Sequence, residues 1–170
     1  MNEKWRYTTT SITKYNPIFR DENGIFKKIE WISFFQIGQL FDGVKLTFES
    51  YSKTERKYIK AAIYFFDFHK TEIIVIKNLE KNEFSNYEFL DKEELSSTYD
   101  KISEGSFVSI EDLKVVVKLI LRGFIWAELF DKNFNEITLR FGYDFYMYFN
   151  SNQNLEDLFI KVKELGLYTN

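Results

Sequence analysis

Histidine is the side chain best suited to moving protons near neutral pH, and this chain of 170 residues has one, His69. It stands at the end of a helical stretch, between Asp67 and Glu72. A hydrolase built around it would need a nucleophile on a strand–turn–helix G-x-S-x-G elbow, and no such motif occurs. A cation near the C-terminal end of a helix dipole accounts for it instead. Neighbouring carboxylates are more frequent: Glu93-Glu94, Glu111-Asp112 and Glu156-Asp157. Such pairs serve glycosidases and metal sites, but all three fall in the first turns of predicted helices, where the dipole favours negative charge. Walker A and G-x-G-x-x-G loops are missing, and the seven glycines are scattered at turns and caps. Neither Asp21–Gly24 (DENG) nor Asp131–Glu136 (DKNFNE) has the ligand count of a calcium loop. Cysteine is absent, which excludes disulfides, thiolate catalysis and cysteine-based zinc sites. The expectation is a protein that is not an enzyme, with no catalytic residue, no metal and no cofactor.

Two features point to binding. Residues 83–112 hold nine acids and two bases, a charge of −7, which leaves +4 on the rest of a chain whose net charge is −3. The acids include Glu88, Asp91, Glu93, Glu94, Asp100, Glu104, Glu111 and Asp112. A segment so polarised would steer a basic protein partner and repel nucleic acid. The second feature is RFGYDFYMYFN, Arg140 to Asn150, with seven aromatic or apolar side chains in eleven residues. Here Asp144, Tyr146 and Tyr148 fall on the face opposite Phe141, Phe145 and Phe149 when read with a period of two. Tyrosines beside charges are typical of protein interfaces. Arg140 is the only base in the stretch, too few for RNP-like recognition of RNA.

The elements that must position these residues read as one α+β domain over residues 1–170, with a mainly antiparallel sheet packed on several helices. Aromatic content is 19 %, which readily supplies a core. The sheet is expected from an N-terminal hairpin turning at Asn23-Gly24 and from strands near 72–79, 124–130 and 136–149. The last is read as one strand bent at Gly142, because a tight turn at Gly142-Tyr143 would pair Phe141 with Asp144 and invert the apolar face. Helices are expected at about 31–41, 47–69, 91–104, 109–122 and 154–165, with Thr47, Asp91 and Ser109 as N-caps. No apolar run approaches the roughly 18–20 residues that span a bilayer, and the first ten residues show no signal-peptide core. The expectation is a cytoplasmic protein without a membrane partner.

Three stretches taken in order, KYNPIFRDENGIFKKIEWISFFQIG (14–38), LILRGFIWAELF (119–130) and RFGYDFYMYF (140–149), resemble a family of small bacterial immunity proteins. These are encoded beside contact-dependent growth inhibition toxins and related polymorphic toxins. The resemblance runs from about Trp5 to Tyr168. It implies a cytoplasmic antidote that binds one cognate toxin domain, often a nuclease, and blocks its action. It carries over no contact residue, so the acids listed above and the trio Asp144, Tyr146 and Tyr148 are chosen from charge and pattern alone. A protein-binding adaptor without a toxin, or a small-ligand binder using an aromatic pocket, are the other readings of the same residues.

Overall fold

The computed structural model of the chain describes residues 8–84 and 91–169. Its chief element is a seven-stranded antiparallel sheet. In chain order the strands are β1 (Thr8–Thr13), β4 (Ile73–Lys81), β5 (Phe107–Ser109), β6 (Ile125–Asp131), β7 (Thr138–Phe141), β8 (Tyr146–Ser151) and β9 (Tyr168–Thr169). They lie side by side as β5-β4-β6-β7-β8-β1-β9. A separate small ribbon pairs β2 (Leu40–Phe41) with β3 (Val44–Lys45). Four helices complete the fold: α1 (Phe48–Phe68), α2 (Lys92–Lys101), α3 (Ile110–Leu121) and α4 (Glu156–Glu164).

Helix α1 starts where a capping box forms, Thr47 and Ser50 each binding the other's backbone N–H. It buries Tyr51, Tyr58, Ala62, Phe65 and Phe66 at helical spacing. Ser109 caps α3, which buries Leu113, Val115, Val116, Val117, Leu119 and Ile120 and packs against both α1 and α2. Helix α4 packs on α1, so the four helices form a single layer. Strands β6 and β8 alternate buried with more exposed residues. The inward residues Ala127, Leu129, Met147 and Phe149 join one core with the helices, where the Phe149 ring stacks on Phe65 at 4.4 Å. The opposite face of the sheet carries Val75, Lys77, Trp126, Glu128, Phe130, Arg140, Tyr146 and Tyr148, which keep part of their surface.

The α+β class and its antiparallel sheet are as expected, but three elements differ. Residues 31–41 are not a helix. Ser33 caps one 3-10 turn, Phe34–Gln36, and the chain then enters β2. The aromatic spacing serves separate ends here: Phe34 enters the core against Tyr51, Trp31 packs edge-on against Phe145, and Phe35 stays exposed. Asp42 and Gly43, both at positive φ, form the hairpin dipeptide that turns β2 into β3.

The turn at Asn23-Gly24 joins only a single bridge, Arg20 to Phe26. The Asp21 carboxylate closes it by accepting from the Asn23 and Ile25 amides, and Pro17–Phe19 form a 3-10 turn in place of a first strand.

Residues 136–149 are two strands, not one bent strand. Phe141 pairs with Met147 and Leu139 with Phe149, so the hairpin is centred on Asp144 itself. A turn centred on a peptide bond inverts the inward pattern; a turn centred on a residue preserves it. The alternation therefore survives a reversal of direction that it seemed to forbid.

Candidate functional site

The hairpin between β7 and β8 is the most strained part of the described chain. Asp144 and Phe145 both have left-handed backbone, with φ of 59° and 61°. Aspartate tolerates this region, whereas a bulky aromatic residue there is an outlier. The cause is the burial of Phe145. Its ring meets Trp31, Tyr51 and Tyr58 edge-on, and its carbonyl accepts a hydrogen bond from the Tyr58 hydroxyl at 2.5 Å. With Phe145 fixed, Tyr143 is held at the tip, 93 % exposed, and Asp144 beside it is also exposed.

Gly142 completes the turn for a steric reason. A Cβ at this position would lie 2.7 Å from the Tyr148 ring, which crosses over it. We expect Gly142→Ala to cost roughly 1–3 kcal/mol through overpacking. Thermal melts of Gly142→Ala and of Gly142→Ala with Tyr148→Leu check this: the second change should recover most of the loss.

Between this turn and residues 15–32 lies a cleft of about 180 Å³ lined by Tyr15, Phe26, Lys28, Glu30, Asp144 and Tyr146, with Ile32 at one side. Ile32, Asp144 and Tyr146 also border an adjoining hollow of about 160 Å³ that reaches Trp126 and Phe141. The Tyr15 ring packs against Phe26 at 4.9 Å and Tyr146 at 5.8 Å. Its hydroxyl is buried and has no hydrogen-bond partner. Burial, then the charges of Asp144 and Glu30, push the Tyr15 pKa well up. The surrounding cations are engaged. Lys14 binds Glu30 at 2.9 Å and lies 4.0 Å from the Trp31 ring centre, and burial pulls its pKa down against the pull of Glu30. Arg20 donates to the Gly24 carbonyl and the Tyr146 hydroxyl, and Lys28 lies 3.5 Å over Phe19. Asp144 makes no ion pair and no side-chain hydrogen bond among the described residues. A cleft with perturbed ionisable groups is a place to look for function.

The residues singled out by charge separate into two groups. Asp91 is structural: it binds Lys118 at 2.7 Å and Arg122 at 2.8 Å, and its side chain makes no cap for α2. Glu104 accepts from the Asn78 and Leu79 amides and holds the bulge of β4. Asp112 accepts from the Ser109 hydroxyl, and Glu94 lies 3.5 Å from Lys114. Glu93, Asp100 and Glu111 are exposed and make no ion pair among the described residues. Glu88 lies outside the described residues. Of the aromatic trio, Tyr146 and Asp144 line the cleft, while Tyr148 stacks on Tyr146 at 6.4 Å and stays half-buried on the sheet face that no helix of the layer covers.

Sequence reasoning missed Tyr15, Tyr143 and a buried charge cluster. Arg122, only 1 % exposed, donates to both carboxylate oxygens of Glu55 at 2.7 and 2.8 Å as well as to Asp91. The cluster joins α1, the start of α2 and the end of α3. The positive-φ tolerance of Asp144, two residues after Gly142, was the one available signal for the turn.

His69 packs against Phe65 and Phe68 with neither ring nitrogen bonded, and burial lowers its pKa despite Asp131 nearby. Among the described residues no three metal-ligating side chains are grouped, and no helix is long and apolar enough to cross a membrane. No family model, curated protein or solved structure matches this chain.

Proposed function

We propose that this protein is an immunity protein that binds one cognate toxin domain one-to-one in the cytoplasm and blocks its action. The observation that carries the reading is the strained β7–β8 turn, which holds Tyr143 exposed at its tip and Asp144 at the rim of an aromatic cleft. Backbone strain persists only where the fold over-determines it, and it gathers at ligand clamps. An exposed tyrosine beside an anion, with aromatic residues behind it, has the composition of an interface anchor. Glu93, Asp100 and Glu111 supply a second patch, suited to drawing in a basic toxin such as a nuclease. The resemblance of the three sequence stretches supplies the toxin class.

Co-expression with the toxin domain encoded beside this chain tests the proposal. The expected result is restored growth and a co-purifying 1:1 complex. Continued toxicity would remove the immunity reading. Glu93→Lys with Glu111→Lys should slow association while changing stability by less than about 1 kcal/mol; an unchanged on-rate in a stopped-flow assay would exclude the acidic patch from the interface. The uncovered sheet face favours a second reading, an adaptor for another protein, because it exposes Phe107 and Trp126 beside Lys132 and Lys77. In that case the chain would not rescue toxin-expressing cells.

A further inference from the structure

We infer that the cleft beneath the β7–β8 turn receives an arginine side chain of the partner protein, with Asp144 as its counter-charge; this rests on the protein-binding reading above. The walls are aromatic on several sides, formed by Tyr15, Phe26 and Tyr146. A planar guanidinium stacks on such rings and is weakly hydrated, so it enters at lower cost than an ammonium. The volume of about 180 Å³ is several times the roughly 30 Å³ that one water occupies, which leaves room for the head group and part of its stem.

The polar groups favour the same ligand. The Tyr15 hydroxyl belongs to a residue 5 % exposed and lacks any partner, although buried hydroxyls are nearly always satisfied. Guanidinium has five donors in a fixed fork and no acceptor. It therefore suits the Asp144 carboxylate that lines the cleft, and it reaches the buried Tyr15 oxygen once that ring turns outward. Charge decides between a cation and an anion. Three cations surround the cleft, but Lys14 is bound to Glu30, Arg20 to a carbonyl and a phenol, and Lys28 rests on Phe19. Of the charges that line the cleft, Lys28 rests on a ring and Glu30 is paired with Lys14. Asp144 has neither an ion pair nor a side-chain hydrogen bond among the described residues, and the turn holds it there through the burial of Phe145.

The test is an NMR titration of the full ¹⁵N-labelled chain with Nα-acetyl-arginine methylamide, with the citrulline analogue as a neutral control of nearly the same shape. The expected result is saturable movement of the amides of Gly142, Tyr143, Asp144 and Tyr15, with the citrulline compound binding at least about fivefold more weakly, the size of one partly exposed charge contact. Asp144→Asn should lose a similar factor. Asparagine also tolerates left-handed backbone, so the variant keeps the turn, which an unchanged spectrum elsewhere would verify. Absence of saturation, equal binding of citrulline, or full affinity in Asp144→Asn would overturn the assignment. So would stronger movement of the same amides by acetate, because Lys28 and Arg20 would then define an anion site. The titration needs no toxin. A positive titration after a failed co-expression removes only the toxin, and rescue with a silent titration removes only the arginine seat.

Discussion

Replacing Arg122 with methionine is expected to destabilise the fold by roughly 3–5 kcal/mol, because it leaves Glu55 charged, buried and without its partner. Glu55 is 2 % exposed, and its two oxygens are both engaged by Arg122. Urea unfolding should show the loss as a lower midpoint at similar slope. Changing Glu55 to methionine in the same chain should recover a large part of it, since a buried ion pair replaced whole by apolar groups is often nearly neutral. A small loss in the single variant would mean that water reaches the cluster.

Acid sensitivity follows from the same cluster. At Asp91 burial opposes the charge, but hydrogen bonds from Arg122 and Lys118 outweigh it and hold the pKa below the ordinary carboxylate value of 3.8. The unfolded chain therefore takes up this proton more readily than the folded one. The contribution is complete above the ordinary value and is lost as pH falls through the lower, folded one. His69 adds an earlier loss, beginning as pH falls through 6.5, because burial makes the folded state resist that proton too.

Phe145→Ala is expected to cost about 3–5 kcal/mol, since the ring is buried among Trp31, Tyr51 and Tyr58. Phe145→Gly removes the same ring but also relieves the left-handed backbone, which costs an ordinary residue about 1–2 kcal/mol. The glycine variant should therefore be the more stable of the two, the reverse of the order found in helices and strands. Chemical denaturation of both proteins measures the difference. An alanine variant as stable as the glycine one would mean that the turn carries no strain, and the case for a preorganised Asp144 would lose its basis.

The helices were the most legible part of the sequence. Helices α1 and α3 are long, periodic and capped by Thr47 and Ser109, so local chemistry and tertiary packing agree. Residues 31–41 misled because their apolar spacing looks helical while Trp31, Phe34 and Phe35 answer to different neighbours. The acidic segment was legible as charge but not as surface. Asp91 and Glu104 find partners far away in sequence, and nothing local distinguishes them from Glu93 or Glu111. Arg122 and Glu55 are 67 positions apart, and in one sequence a buried arginine looks like any other. At the candidate site, Asp144 and Tyr146 stood out from the pattern of their stretch. Tyr15 did not, because its importance arises only when residues 15–32 fold back over the hairpin.

The centring of the last hairpin on Asp144 limits how its length can change. Removing or adding one residue between Phe141 and Met147 would move the midpoint onto a peptide bond. With that midpoint Phe141 still faces Met147 and Leu139 still faces Phe149, so the inward face is kept; a turn that stayed centred on a residue would instead offer Tyr146, Tyr148 and Asn150 to the helices. Adding two residues keeps the midpoint on a residue and costs only the modest entropy of a longer loop. A single-residue gap here must therefore come with a change of turn type, from three loop residues to two or four, whereas a change of two residues leaves the turn centred as it is.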